Sequence, residues 1–384
     1  MKISDVTCYP VWGGGRNFLF VVVDTDEGLY GVGESGLTGR ELAVMGAIEH
    51  FKPLLVGQDP TRIEHLWQVL SRGGFFPHGR ILGSAIAAID IALWDIRGKA
   101  LGVPLYDLLG GRVRDKVVCY CHLAGGHAPG TTGLVEDAQR RVAEGWKFLR
   151  WGLPTEGDLL EPTRAIKQSL QQFRALRDAV GDEVELCFDI HTRLSPQDAI
   201  LLCREAAPFR PFFMEDPIRS ESPQAFHLLR EKIDVPLAVG EQFASKWDFR
   251  ELIDHDLIDY ARIDLCICGG LTEAKKIAGW CEAHYIDIAV HNPLGPVSTT
   301  ACTHFNLAIS NFGVQEQPRK PGTSLTDVVL NQPVWEDGYI LPPKGPGLGV
   351  ELDLDVVQAH PRRRIFFNLF AEEWHRRQAT VDGA

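Results

Sequence analysis

Between Phe188 and Pro318, acidic residues and histidines recur at a nearly constant step. The gaps are 26 residues from Asp189 to Glu215, 26 to Glu241, then 23 to Asp264, 27 to His291 and 25 to Glu316. Each ends or closely follows a short apolar run (LCFD, PFFME, LAVGE, YARID, IAVH, GVQE), and every run but the last is followed by a helical pattern. A strand, loop and helix repeated at that length suits parallel strands joined by crossover helices. If consecutive parallel strands close into a barrel, their carboxyl ends share one rim, and residues far apart in the chain become neighbours there.

The alternation begins at Lys116. Strands are expected over 117–122, 147–151, 184–189, 211–215, 236–240, 259–264, 286–290 and 313–316, with seven helical stretches near 133–144, 160–180, 196–206, 223–232, 246–254, 272–284 and 297–310. Ser195-Pro196-Gln197-Asp198 and Ser245-Lys246-Trp247-Asp248 read as capping boxes, and Ser222-Pro223 as a cap followed by a first-turn proline. Eight strands with seven helices give a (β/α)7β modified TIM barrel, placed at 116–325. The opening differs: strands near 3–9, 18–23 and 29–32 form an antiparallel meander, and helices near 41–51, 62–70 and 81–100 follow, which reads as an α+β capping domain over 1–115. After Pro318 the pattern dissolves into Pro/Gly-rich sequence. A strand pair is expected between 334–341 and 349–352, then an amphipathic terminal helix from Phe366 to Trp374, in a segment (326–384) that returns to the cap.

Composition bounds the function. A chain of 384 residues with 45% hydrophobic content can bury a large core in two domains. A formal net charge of −12 argues against nucleic acid, whose phosphates demand a basic footprint. No apolar run approaches the roughly 20 residues of a membrane span, and Met1-Lys2-Ile3 leads straight into a strand pattern, so a cytoplasmic protein without membrane contact is expected. Nine scattered cysteines read as reduced thiols. Cys119-x-Cys121 and Cys266-x-Cys268 lack partner pairs at zinc-site spacing and are assigned to core packing. The Gly13 to Asn17 loop lacks the Lys-Ser/Thr of a P-loop and precedes no helix; it is read as a mobile flap over a site, with Arg16 and Asn17 as candidate substrate contacts. His78, in the loop from Gly73, is a third.

At the rim, Asp189, Glu215 and Glu241 end three successive strands. Three carboxylates suit a hard octahedral cation completed by water and substrate oxygens, hence Mg²⁺. His191 lies two residues after Asp189, and alternation directs both to the same side of an extended chain. Asp264 and His291 end adjacent strands; a carboxylate on one ring nitrogen fixes the tautomer and raises basicity, so they form a candidate base dyad.

The runs Phe213-Met214-Glu215-Asp216-Pro217, Val239-Gly240-Glu241 and His291-Asn292-Pro293-Leu294-Gly295-Pro296, with Asp264, resemble the enolase superfamily, mandelate racemase-like branch. Closest in look are dehydratases of the galactonate type, with an echo of mannonate dehydratases in Asp189-Ile190-His191-Thr192-Arg193-Leu194-Ser195-Pro196. The resemblance extends to Gly57-Gln58-Asp59-Pro60, Ala92-Leu93-Trp94-Asp95-Ile96 and Pro346-Gly347-Leu348-Gly349. It implies a cap built from both termini, Mg²⁺ on Asp189, Glu215 and Glu241, and proton abstraction beside a carboxylate, the metal-stabilised enediolate chemistry known for this superfamily. It further implies His291 as base backed by Asp264, His191 as acid on the departing 3-hydroxyl, Glu316 bonding the substrate carboxylate, and a homo-oligomer. Many relatives carry Lys-x-Lys where this chain reads Phe148-Leu149-Arg150-Trp151-Gly152. Arg150 keeps a fixed charge and is a poor proton acceptor, so it is either catalytic or an anchor for rim carboxylates. The expected activity is Mg²⁺-dependent dehydration of a sugar acid (galactonate-, gluconate- or mannonate-like) to a 2-keto-3-deoxy acid. The alternatives are 2-epimerase or racemase chemistry, and a sugar-acid binding protein.

Overall fold

A run such as Phe18-Leu19-Phe20-Val21-Val22-Val23, apolar at every position, fits a strand buried on both faces. The computed structural model, which describes residues 1–124, 130–154, 161–367 and 379–381, places it in the middle of a three-stranded antiparallel sheet. The sheet is β1 (Ile3–Trp12), β2 (Asn17–Thr25) and β3 (Tyr30–Ser35). By strand alternation, Leu19, Val21 and Val23 pack with the helices of the cap, α1 (Glu41–Leu55), α2 (Ile63–Arg72) and α3 (Arg80–Leu101), whereas Phe18, Phe20 and Val22 join the core of the barrel. A short α4 (Leu105–Leu108) leads out of the cap.

The barrel follows in the expected order. Its strands and helices are β4 (Val117–His122), α5 (Thr132–Ala143), β5 (Phe148–Gly152), α6 (Pro162–Val180), β6 (Glu185–Asp189), α7 (Pro196–Ala206), β7 (Phe213–Glu215) and α8 (Ala225–Arg230). The second half is β8 (Leu237–Val239), α9 (Lys246–Asp254), β9 (Tyr260–Ala261), α10 (Leu271–Ala283), β10 (Asp287–Val290), α11 (Pro296–Leu307) and β11 (Phe312–Glu316). β4 to β11 pair in sequence and in parallel, and β11 closes onto β4 through Gln315 with Cys119 and Glu316 with Tyr120. The lumen is filled by Tyr120, Cys187, Phe213, Ala238, Ala289 and Val314, side chains contributed by separate strands, as expected of a packed barrel interior. All nine cysteines are free thiols and all but Cys8 are buried, in keeping with a packing role.

Local signals hold in part. Ser195 caps α7 by accepting from Asp198 N, but at Ser245 the expected hydroxyl bond is replaced by the Asp248 carboxylate, which accepts from Ala244 N at 2.8 Å. α8 starts at Ala225, two residues after the proline expected to open it. Past the barrel, the expected pairing is corrected. Residues 334–341 fold back on themselves as a hairpin of β12 (Trp335–Glu336) and β13 (Tyr339–Ile340), which takes the Val117–Val118 part of β4. Leu352 and Glu351 instead pair with Val329 and Leu330. Two-residue strands carry too little periodicity for their partners to be read locally. Ile365–Phe367 is a strand paired with Ala379–Val381 and not the start of a helix; the rest of the expected terminal helix lies outside the described residues.

Two buried acids of α3 fasten the cap, one to the barrel and one to the C-terminal segment. Asp90 accepts from Thr272 N and Oγ1 at the start of α10, beside Gly270, whose φ of 87° and 2.4 Å clearance between an added Cβ and Asp90 Oδ2 leave room only for glycine. Asp95 accepts from Val32 N at 3.0 Å and Leu348 N at 2.8 Å, with Lys99 alongside. From β3, Glu34 accepts from Gly295 N (2.6 Å) and Ser298 N (2.8 Å), capping α11, which begins five residues after His291. Among the described residues no helix is long and apolar enough to cross a membrane.

Candidate active site

The register sets the carboxylates. Asp189 pairs with Glu215 across β6 and β7, so these two strand tips stand at one level. Glu215 pairs with Ala238, which places Glu241 beyond the end of β8, after Gly240 at φ 138°. A Cβ at Gly240 would lie 2.4 Å from the Phe249 ring, so glycine is what lets the chain turn there and bring Glu241 over the rim.

Burial pushes Glu215 up to about 8; Asp189 and Glu241 push the same way, against the guanidiniums of Arg262 and Arg150. Asp216 is raised well above the carboxylate range by burial and then by Glu241, Glu215 and Asp189. Glu215 Oε2 and Asp216 Oδ2 are buried and accept no hydrogen bond. Crowded hard oxygens that repel one another fit a small divalent cation, so the residues present suit Mg²⁺. Two arginines meet part of that charge. Arg150 Nη2 donates to Asp189 Oδ2 and its Nε lies 4.0 Å from Glu215 Oε2. The guanidinium thus spans Asp189 and Glu215. With that group among them, the three carboxylates are not drawn to within 4.8 Å of one another; the set that close among the described residues lies elsewhere, on the outer helices.

His291 Nδ1 donates to Asp264 Oδ2 at 2.8 Å, and Asp264 Oδ1 accepts from Cys266 N at 2.7 Å, so the dyad forms with its tautomer fixed. Nε2 points at Glu241 Oε2 (3.3 Å) and stands 3.9 Å from Glu316 Oε2. Burial alone would lower this imidazole; Glu241, Glu316 and Asp264 outweigh it and push it up to about 9. His191 Nε2 lies 3.9 Å from the other oxygen of Glu241. The alternation invoked for it does not operate: β6 ends at Asp189, and His191 and Thr192 both adopt φ of 58°, so a left-handed turn aims the ring.

Arg262, which the strand-tip pattern passes over, is fully buried and binds four oxygens of distinct groups. It donates to Glu215 Oε1 and Glu316 Oε2, both at 2.8 Å, and to the carbonyls of Ala289 and Val290 at 3.0 and 3.1 Å. His122, at the tip of β4, is also new. Burial and Arg150 push it down to about 4, so a neutral ring donates from Nε2 to Glu316 Oε1 at 2.7 Å. Asn292 N donates to Glu316 Oε2 at 2.9 Å. Burial would raise Glu316, yet His291 and Arg262 hold it well below the usual range. Glu316, expected to bond the substrate carboxylate, is held at the rim through both oxygens, by His122 at Oε1 and by Arg262 and Asn292 N at Oε2.

The three expected substrate contacts fare differently. Arg16 is half-buried, donates to Pro293 O at 3.1 Å and lies in the field of Glu316 and Glu34, so the loop from Gly13 docks on the rim beside His291. Asn17 is turned away: Nδ2 donates to Arg363 O (2.7 Å) and Oδ1 accepts from Arg363 N (2.9 Å), which clasps the C-terminal segment. His78 donates from Nε2 to Ala244 O at 3.2 Å and accepts from Ser71 Oγ at 2.8 Å, leaving neither nitrogen for a ligand.

Comparison with known proteins agrees with this geometry. Residues 133–356 match the enolase C-terminal domain-like family, and residues 14–110 match the mandelate racemase / muconate lactonizing enzyme N-terminal domain. A D-mannonate dehydratase of Caulobacter sp. (strain K31) is 38% identical over 400 residues, covering 95% of this chain and 96% of the relative. A D-galactonate dehydratase of Ralstonia nicotianae is 39% identical over 366 residues, covering 93% and 94%. Among solved structures, an enolase from Pantoea ananatis with bound D-gluconate and Mg superposes with a TM-score of 0.88 at 32% identity, covering 94% of each chain. The chain is an enzyme of the enolase superfamily, in its mandelate racemase / muconate lactonizing enzyme branch.

Proposed function

We propose that the chain dehydrates a sugar acid of the aldonate class to a 2-keto-3-deoxy acid. The observation that carries this reading is the pair of imidazoles flanking one carboxylate: His291 and His191 stand 3.3 and 3.9 Å from the two oxygens of Glu241. A base and an acid are thereby aimed at one small volume. The dehydratase names of the relatives and the D-gluconate and Mg in the Pantoea ananatis structure support the same reading.

Asp189, Glu215 and Glu241 would hold Mg²⁺. When bound, the ion supplies positive charge that lowers the cost of removing a proton next to a substrate carboxylate. His291 Nε2 takes the C2 proton, its basicity raised by the bond from Nδ1 to Asp264. His191 delivers a proton to the 3-hydroxyl as the C3–O bond breaks, so water leaves and a C2=C3 enol forms. The enol then tautomerises to the ketone, with atoms and charge conserved. Arg150 pairs with Asp189 and holds its carboxylate in place, while Arg262 and His122 hold Glu316. Glu34, bonded to the start of α11, and Arg16, bonded to Pro293, fix the loop that follows His291 and cover it from the cap side. The same two imidazoles suit a 2-epimerase, in which both face C2; the product separates the two readings.

The test is a panel of five- and six-carbon aldonates with Mg²⁺, followed by 2-keto acid formation. Accumulating 2-keto-3-deoxy product on one or more of them is the expected result. Inversion at C2 without a keto product, or tight binding without turnover across the panel, would replace it with epimerase or binding-protein function.

A further inference from the structure

Away from the rim, the outer face of the barrel carries a second set of ligand-type side chains. His227 lies on α8, Glu251 on α9 and His255 caps the C-terminus of α9. His227 Nε2 is 2.9 Å from Glu251 Oε1 and His255 Nε2 is 3.8 Å from the same oxygen. The two imidazole rings meet edge to face with centroids 5.0 Å apart, and one ligand atom from each residue lies within 4.8 Å of the other two.

We infer that His227, Glu251 and His255 form a divalent transition-metal site that ties α8 to α9. Around a four-coordinate ion with bonds of about 2.0–2.1 Å, ligand atoms sit roughly 3.3–3.4 Å apart. The observed 2.9 and 3.8 Å fall on either side of that spacing, and the side chains are 29–54% exposed, free to make the small rotation that closes the set. Glu251 and His255 are one helical turn apart, so they present to the same side of α9. His227 completes the set from the neighbouring helix.

Two imidazoles and one carboxylate select Zn²⁺ and its neighbours over Mg²⁺ or Ca²⁺, which prefer oxygen ligands, so the two sites of this chain call for different ions. Three protein ligands leave a fourth position to water. The site is independent of turnover: α8 and α9 follow the strands that lead to Glu215 and Glu241, but none of the three residues touches the rim machinery described above. Binding here staples two adjacent strand–helix units from outside and stabilises the folded chain by mass action.

The experiment uses the full chain with Mg²⁺ saturating, titrated with Co²⁺ and Zn²⁺ in the wild type and in His227→Ala, His255→Ala and Glu251→Gln. In the wild type, Co²⁺ is expected to give the intense visible bands of a four-coordinate ion, and Zn²⁺ to raise the melting temperature. Each variant should lose the bands and the zinc-dependent shift, with affinity falling about ten-fold or more, while kcat/KM with Mg²⁺ stays unchanged in His227→Ala. Identical bands, stoichiometry and zinc shift in the wild type and in both histidine variants would overturn the site. So would the absence of any four-coordinate cobalt signal in the wild type.

Discussion

Replacing Arg262 by methionine asks whether a buried guanidinium holds the floor of the rim together. Its Nε and Nη2 engage Glu215 and Glu316, and Nη1 serves the carbonyls of Ala289 and Val290, all without solvent exposure. Methionine keeps most of the volume, so the cavity contribution is small. What is lost is the cation between two buried carboxylates, and breaking such a pair costs about 3–5 kcal/mol because the remaining charge stays unpaired. Against a typical stability of about 5–15 kcal/mol, that is a large fraction. The assay is urea unfolding followed by tryptophan fluorescence. Arg262→Lys should recover only part of the loss, since one ammonium cannot replace a planar fork that reaches both acids and two carbonyls. Arg262→Met/Glu316→Gln should be less destabilised than the sum of its single variants. A loss below about 1 kcal/mol for Arg262→Met would refute the reasoning, because removing one partner of a buried pair costs about 3–5 kcal/mol.

Three further outcomes are expected. His304 accepts from Tyr106 N at Nδ1 (3.1 Å) and donates to Leu348 O at Nε2 (2.9 Å), and burial pushes it down to about 4 from 6.5. The unfolded chain therefore takes up a proton below pH 6.5 that the folded chain refuses, and stability falls as pH drops from about 6.5 to 4, by about 3 kcal/mol at most; His304→Gln should remove this component from urea midpoints measured at pH 7 and pH 5. Asn17→Ala breaks the two bonds to Arg363 and should cost about 1–3 kcal/mol while speeding tryptic cleavage after residues 362–364; a raised KM with unchanged cleavage would return Asn17 to the substrate. Glu241→Gln should weaken Mg²⁺ binding about ten-fold or more by calorimetry, and unchanged affinity would remove it from the ligand set.

The barrel was legible because strand tips carry chemistry at a regular step, so Asp189, Glu215, Glu241, Asp264, His291 and Glu316 stood out together. His122 ends β4 and Arg150 lies two residues before the end of β5, but the segment between β5 and β6 is longer and breaks the beat ahead of Asp189. Arg262 was readable in principle: it shares parity with Asp264, and a charged residue inside an apolar run needs buried partners, here Glu215 and Glu316. The turn at His191 was hidden, since nothing in Asp-Ile-His-Thr announces two consecutive left-handed residues. Asn17 and His78 were misplaced for a common reason. Their type suits substrate contact, but their partners, Arg363 and the pair Ser71 and Ala244, come from segments whose positions only the tertiary fold decides. Glu316 stood out by its step, but its bonds to His122, Arg262 and Asn292 N join segments that only the tertiary fold brings together.

The most direct measurement follows the C2 proton. Wild type, Asp264→Asn and His291→Asn are incubated with Mg²⁺ and an active aldonate in deuterium oxide, and turnover and deuterium at C2 of recovered substrate are measured together. His291→Asn is expected to lose both turnover and exchange, by about 10²–10⁴-fold or more, with Asp264→Asn intermediate. Exchange persisting in His291→Asn would show that another group removes the proton, and would contradict the role assigned to the ring at the tip of β10.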